Sequence, residues 1–373
     1  MQIKNMERFE KILVISLGGA GDTLLATPML EELRLAFPDA AIHILTMQAR
    51  APDVLRCNPC LDRNIHHEFM REHWWKSLAF CRRLRRERYD LSLTVMPQNR
   101  LEYNLVTLLI GARMRLGFDF AIQCGALPGV FLTHRIGENT GIHMADNDLR
   151  LISEGLGRKL RLPKHELQLF LTDENRAFAE RFLVEQDLRG CTVIGFHPGS
   201  GTTKNLELKR WPAPKWAELA GLLLEDEEVR ILMFGGPEEQ SLRDRIRELS
   251  GTGAEKLIDV PAGDLLDAAA VIEKLDVMVC NDALLVHVAV AVKTTVVEIM
   301  GPTPPLSTGP YGDGPHRIVR TGIPCSPCYG YSRYGIRCVN AEFMACLQDL
   351  SPVSARQVMA GPKTIQKDSD PPQ

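Results

Sequence analysis

The chain has 373 residues, 45% hydrophobic and 24% charged, with a formal net charge of −3. This is the composition of a soluble globular protein long enough for two domains, and it excludes a strongly basic nucleic-acid binder and a low-hydrophobicity disordered chain. No run of about 18 consecutive apolar residues occurs, so no transmembrane helix is expected.

The opening "MQIKNMERFEKILVISLGGAGD" imitates a signal peptide only faintly. Its apolar run is short and leads into Gly and Asp without a small-residue cleavage site. Lys11 to Leu17 therefore reads as a buried first strand, and the protein is expected in the cytoplasm. Gly18, Gly19 and Gly21 follow, then Asp22. The dinucleotide fingerprint would need a third glycine where Thr23 or Leu24 stands, so this is a different loop. Two readings of Asp22 fit. It can cap a helix, where its charge suits the helix dipole, or it can face a cleft as a base while the glycines admit a substrate.

Thr23 to Phe37 shows helical spacing of Leu24, Leu25, Met29, Leu30 and Leu33. Pro38 and Asp39 end it, and "AAIHILT" is the next strand. "YDLSLTV", Tyr89 to Val95, is a further strand. Strand, helix and strand at these lengths imply a parallel sheet with right-handed crossovers. Glu138 to Pro163 is polar and irregular, with a helix expected over Asp146 to Gly155. A linker is expected between Leu171 and Gly190, dividing residues 1–175 from residues 190–360.

The alternation then restarts. "CTVIGFHPGSG" is a strand and a glycine loop; Pro212 to Leu224 is a helix with Pro in its first turn. "VRILMFGG" is a strand, Glu238 to Leu249 a helix, "KLIDV" a strand and Asp264 to Leu275 a helix. "VMVCND", "ALLVHVAVAV" and "TTVVEIMG" read as strand, helix and strand. Two successive alternations, each opened by a glycine loop, argue for two Rossmann-like domains in tandem. Ligands of such sheets bind beyond the carboxyl ends of the strands, and a cleft between two such domains is the expected site. The last residues, 361–373, are polar and end in Pro-Pro-Gln; they read as a disordered tail.

Charge is uneven along the chain. Residues 1–172 carry 23 Lys and Arg against 19 Asp and Glu; residues 173–373 carry 21 against 28. A basic first half suits an anionic partner, and its densest run is "CRRLRRERYD", Cys81 to Asp90, which equally fits a solvated helix face. In the second half, "HPGSG" (His197 to Gly201) can offer N–H groups and the Ser200 hydroxyl to a phosphate. Lys209 and Arg210 stand just before a helix, where they oppose its dipole; a bound phosphate would resolve that, and a solvated pair is the plain alternative. In "CNDALLVH", Asp282 could cap a helix and His287 could be a core histidine. Cys325, Cys328, Cys338 and Cys346 form C-x2-C-x9-C-x7-C, which fits a structural zinc or iron–sulfur site, reduced thiols, or redox-dependent pairing.

Four segments in this order resemble glycosyltransferase family 9, the ADP-heptose:lipopolysaccharide heptosyltransferases. They are "KILVISLGGAGDTLLATPMLEELRLAFPDAAIHILT", "FHPGSGTTKNLELKRWPAPKWAELAGLL", "VMVCNDALLVHVAVAVKTTVVEIMGPTPP" and the Cys-rich end, together spanning most of Lys11 to Leu350. The resemblance implies an α/β GT-B fold, two Rossmann-like domains facing each other across a cleft, the second holding the nucleotide-sugar. It implies inverting transfer that requires no metal or cofactor for catalysis, from an ADP-sugar donor to a lipid-linked glycan at the inner face of a membrane, with no nucleic acid involved. A transient membrane contact through the basic first half follows from that.

By the same resemblance Asp22 is the base for the acceptor hydroxyl, and Gly18, Gly19 and Gly21 admit the sugars. Ser200, Gly201 and Lys209 contact the donor diphosphate, Lys209 also stabilising the leaving group. The backbone at Asp282, Ala283 and Leu284, with His287, completes the cradle, and Glu238 accepts from the ribose. The family pattern N-D-[ST]-G-[LP]-x-H is broken by Ala283 and Leu284, and Lys293 stands where glycine is common. Leu284 is expected to crowd the diphosphate and weaken donor binding. Other readings of the same residues are a degenerate member that binds nucleotide or glycan without turnover, and a GT-B sugar-nucleotide epimerase.

Overall fold

The computed structural model describes residues 8–97, 100–119, 131–329 and 335–360. The expected tail, 361–373, lies outside the described residues. The chain divides into two compact units: residues 1–172 with 306–312 and 330–335, and residues 173–305 with 313–329 and 336–373.

In the first unit the order is β1 (Lys11–Ser16), α1 (Ala20–Leu25), α2 (Thr27–Ala36), β2 (Ala41–Thr46), α3 (Ala51–Val54), β3 (Arg63–His66), α4 (Trp74–Arg85), β4 (Leu91–Thr94), α5 (Leu101–Ile110), β5 (Met114–Asp119), β6 (His134–Gly137) and α6 (Met144–Arg150). A π-helical turn, Leu151–Gly155, prolongs α6. The helix expected from Thr23 to Phe37 is two helices. Pro28 in the first turn of α2 has no N–H to donate and breaks the ladder at Ala26.

The second unit runs α7 (Asp173–Glu185), β7 (Thr192–His197), α8 (Ala213–Leu224), β8 (Val229–Met233), α9 (Gln240–Ser250), β9 (Leu257–Asp259), α10 (Leu265–Ile272), β10 (Val277–Asn281), α11 (Leu284–Ala291) and β11 (Val296–Ile299); after the short α12 (Pro305–Thr308), all but its first residue part of the first unit, it resumes with β12 (Arg317–Val319), α13 (Ala345–Gln348) and α14 (Pro352–Ala360). The segment read as linker thus holds α7, whose Asn175 donates to Asp267 of α10 at 2.8 Å.

Each unit carries a six-stranded sheet, ordered β3-β2-β1-β4-β5-β6 and β12-β11-β10-β7-β8-β9, and every strand pair is parallel. The two orders are the same doubly wound topology. Parallel strands need helical crossovers on both faces, which explains why central strands such as Ile12–Ile15 and Met278–Cys280 are wholly apolar and fully buried. The strand order reverses between β1 and β4 in one unit and between β7 and β10 in the other. Such switch points are where ligands of these sheets bind.

Two anchors hold irregular segments of the first unit. The fully buried Glu32 accepts N–H bonds from Arg161 and Leu162 and pairs with His165 at 2.9 Å. His143 accepts from the Ala145 N–H with Nδ1, so the Nε2–H donates to the Gly309 carbonyl at 3.0 Å. Tyr311 donates to Asp146 at 2.7 Å, which fastens the returning segment 306–312.

Candidate active site

At the first switch point, β1 ends at Ser16 and α1 begins at Ala20. Asp22 is the third residue of α1, and its Oδ2 accepts the Gly19 N–H at 2.6 Å, as the acid of a capping box does. A Cβ on Gly18 would stand 2.6 Å from that oxygen. The carboxylate itself therefore demands glycine there. Thr23 ties the turn down through Ser16 at 2.8 Å and the Gly19 carbonyl at 3.0 Å. Asp22 remains half-exposed.

Behind it lies Asp148, which is 1% exposed and accepts the Met96 N–H at 2.8 Å, just past β4. Burial, with the nearby Asp22 charge, holds the Asp148 carboxyl well above the usual range despite that hydrogen bond.

At the second switch point three loops meet. Asn281, at the end of β10 and fully buried, accepts the Trp211 N–H at 3.1 Å and donates to the Pro198 carbonyl. One side chain thus joins the segments "HPGSG", "LKRWP" and "CNDALLVH". Lys209 Nζ lies 2.8 Å from Asp282, both mostly buried, with the Tyr329 ring 5.8 Å from the ammonium. Burial alone would raise the Asp282 carboxyl, but the Lys209 charge and hydrogen bond, aided by Thr303 and His287, hold it below the usual range. Ser200 donates to the Leu206 carbonyl at 2.9 Å and accepts from Arg210 at 3.2 Å, while Arg210 also donates to the Ser200 carbonyl at 2.9 Å. Gly201 is exposed beside it.

Of two adjacent acids after β8, Glu238 is exposed and Glu239 is buried. Glu239 lies 3.4 Å from His197 and 3.7 Å from Arg210 and accepts the Gly236 N–H. A Cβ on Gly199 would stand 1.7 Å from its carboxylate, so Glu239 fixes the shape of the "HPGS" turn. Glu298 of β11 is fully buried, and among the described residues neither oxygen has a hydrogen-bond partner. Burial first, then the Asp282 charge, push its carboxyl well above the ordinary range, against the pull of Lys209.

Ala283 supplies no side-chain cap to α11, and Leu284, its first residue, is half-exposed. His287 is buried on the same helix. Lys293 adopts φ +67°, the left-handed conformation that favours glycine.

Cys325, Cys328, Cys338 and Cys346 do come together, around a void of about 10 Å³ shared with Asn340 and Met344. Among the described residues, however, no group of three or more His, Cys, Asp or Glu side chains is disposed to hold a metal ion, so the zinc or iron–sulfur expectation finds no support here. The sulfurs have other surroundings. Cys325 accepts from Asn340 and Cys338 from the Met344 N–H, each at 3.2 Å, and Cys346 is packed in the core. Burial, with the neighbouring thiols, pushes Cys346 up to about 11.

Asn281, Glu239, Glu298 and Tyr329 escaped the sequence reading. A polar residue ending an apolar strand was the available signal for Asn281; the others gave none.

Two doubly wound units, one presenting a half-exposed carboxylate and the other a lysine-centred cradle at their switch points, define a two-domain α/β protein of the nucleotide-sugar transferase type. The glycosyltransferase family 9 (heptosyltransferase) model matches residues 77–334. The chain belongs to this family, and it is a heptosyltransferase-like glycosyltransferase.

Lipopolysaccharide heptosyltransferase 2 of Escherichia coli (strain K12) is 27% identical over 316 residues, covering 80% of this chain and 86% of that protein. Lipooligosaccharide heptosyltransferase 2 of Haemophilus influenzae is 26% identical over 319 residues, covering 81% and 86%. The solved E. coli ADP-heptose lps heptosyltransferase II superposes with a TM-score of 0.70 at 22% identity, over 94% of this chain and 97% of that one. An E. coli heptosyltransferase solved with ADP-2-deoxy-2-fluoro heptose gives 0.67 at 19%, over 94% and 99%. The likeness to the solved structures establishes the GT-B fold.

Proposed function

We propose that this enzyme transfers a heptose, or a closely related sugar, from an ADP-sugar to a lipopolysaccharide core or similar lipid-linked glycan, with inversion and without a metal. The relatives named above are lipopolysaccharide or lipooligosaccharide heptosyltransferases by name, one of them an ADP-heptose enzyme, and the observation that carries the reading here is the buried Lys209–Asp282 pair at a switch point. Asp22 takes the proton from the acceptor hydroxyl. The acceptor oxygen forms a bond to the anomeric carbon as the bond from that carbon to the diphosphate breaks, and ADP leaves with the electron pair. A positioned base of this kind contributes roughly 10²–10⁴ in rate.

Negative charge grows on the departing diphosphate. Lys209 stabilises it, moving part of its interaction from Asp282 to the phosphate; preorganised cations of this sort do the work a metal does elsewhere. The first N–H groups of α11 complete the cradle. Glu238, exposed at the end of β8, is the acid we assign to the ribose, with Glu239 shaping the turn beneath it. Leu284 weakens this binding by its bulk. The work is done on a cytoplasmic membrane face, where the lipid-linked acceptor is presented.

A thermal-shift series with ADP, UDP and GDP tests the reading. A ligand that binds only the folded state stabilises by RT ln(1 + [L]/Kd), about 2.7 kcal/mol at a hundredfold excess over Kd. ADP should raise the melting temperature well above UDP and GDP, and a chelator should leave transfer unchanged. Equal shifts for all three nucleotides would remove the donor assignment, and loss of transfer on chelation would remove the metal-free mechanism.

A further inference from the structure

Helix α4 is firmly seated on one side only. Phe80, Cys81 and Leu84 are buried against the first unit's core, and His67 stacks on Phe80 at 4.2 Å. Among the described residues nothing buries its other side, which has an unusual content. Met70, Trp74 and Trp75 are 68%, 76% and 54% exposed. Soluble proteins seldom leave two adjacent tryptophans in water without a use. At 100° per residue, Trp75, Ala79, Arg82 and Arg86 form one stripe running away from the buried face.

The charge on this surface is one-sided. From Glu68 to Arg88 there are seven Lys or Arg and three Asp or Glu. The three acids are already engaged: Glu68 with Arg71 at 3.4 Å, Glu72 with Lys76 at 2.9 Å, and Glu87 with Lys11. Among the described residues Arg82 and Arg86 have no acidic partner, and both are exposed with Arg83 and Arg85. Indole rings prefer the depth of lipid headgroups, and arginines beside them bind lipid phosphates. Tryptophan and arginine also serve protein interfaces, but the one-sided positive charge beside an indole pair at one helix face matches the layering of an anionic lipid surface, and the vesicle test separates the two.

We propose that the outer face of α4, with Met70, Trp74 and Trp75 inserted and Arg82 and Arg86 on the headgroups, docks onto an anionic lipid bilayer. The helix then lies in the plane of the surface rather than crossing it. This rests on the functional reading in one respect, that a lipid-linked acceptor resides in such a bilayer.

The test uses full-length protein and lipid vesicles, without donor or acceptor. Of the four tryptophans, Trp211 and Trp216 are fully buried, so a change in tryptophan emission reports Trp74 and Trp75. Vesicles of phosphatidylcholine and phosphatidylglycerol in equal parts should sediment the protein and shift its emission to the blue. Phosphatidylcholine alone should do neither, and added salt should reverse binding. Arg82→Glu with Arg86→Glu should weaken partitioning by at least roughly tenfold, since each cation near an anionic surface contributes about that factor or slightly less. Trp74→Ala with Trp75→Ala should weaken it as well.

Equal binding to neutral vesicles, unchanged binding in the arginine variant, or self-association that accounts for the emission change would each overturn the proposal. Vesicle binding without transferase activity would support this surface and defeat the functional reading; transfer to a soluble acceptor fragment without vesicle binding would do the reverse.

Discussion

The two switch points share a topology and differ in how they treat charge. In the first unit Asp22 folds onto its own helix start, held by one backbone N–H at 2.6 Å, and stays half-exposed. In the second, Lys209 faces Asp282 and Arg210 faces Glu239, a largely buried set in which His197 also lies 3.4 Å from Glu239. A carboxylate that keeps contact with water stays open to an incoming hydroxyl. A compensated buried cluster holds its cations in fixed positions where an anion can compete for them. The proposed reading assigns proton transfer to the first unit and diphosphate binding to the second.

The largest expected effect is on the first unit's loop. Asp22→Asn keeps the hydrogen-bonding shape of the turn and removes the base, so the transfer rate should fall roughly 10²-fold or more. Near-normal turnover would leave Asp22 with capping alone. Next comes Asn281→Ala, which cuts the link among the three loops of the second unit. Two buried hydrogen bonds are lost and their partners stranded, so stability should drop by about 1–3 kcal/mol in denaturant titration. An unperturbed midpoint would show that the loops do not depend on that side chain.

Glu298→Gln should change the pH dependence of stability. A buried acid whose folded-state value is raised costs stability as pH climbs past its ordinary value of 4.5, because the unfolded chain ionises first. The variant should therefore gain on the wild type as pH rises above about 4.5. A constant difference across that rise would contradict the assignment. Smallest is Lys293→Gly, which relieves a left-handed φ of +67° and should stabilise by about 1 kcal/mol, read as a higher melting temperature. No gain would mean that the Lys293 side chain supplies compensating contacts.

Much of the second unit was legible because its strands are buried on both faces and stand out as apolar runs, "VMVCN" between Asp276 and Asp282 among them. The first unit was less so. Only Ile65 of β3 is buried, so that edge strand has no apolar run to read. The split of α1 from α2 was written in Pro28 but outweighed by continuous helical spacing. Asp22 and Asp282 stand out in the sequence because each follows a strand end within a short motif, and Lys209 because it lies just before a helix. Which of Glu238 and Glu239 turns inward could not be read there. A 3-10 turn over Pro237–Glu239 decides it, and neighbouring residues in such a turn differ only in direction. The meeting of Asn281 with Trp211, 70 positions apart, is likewise a product of the sheet order and not of any local pattern.

The division of labour between the two units is most directly tested by titration calorimetry of the ADP-sugar donor into the wild type, Asp22→Asn and Lys209→Ala. A charge-assisted contact to phosphate contributes about 1.5–3 kcal/mol, so Lys209→Ala should bind the donor and ADP at least roughly tenfold more weakly, with a smaller loss for AMP. Asp22→Asn should bind the donor as the wild type does. Equal losses in both variants, or a loss confined to Asp22→Asn, would contradict the account.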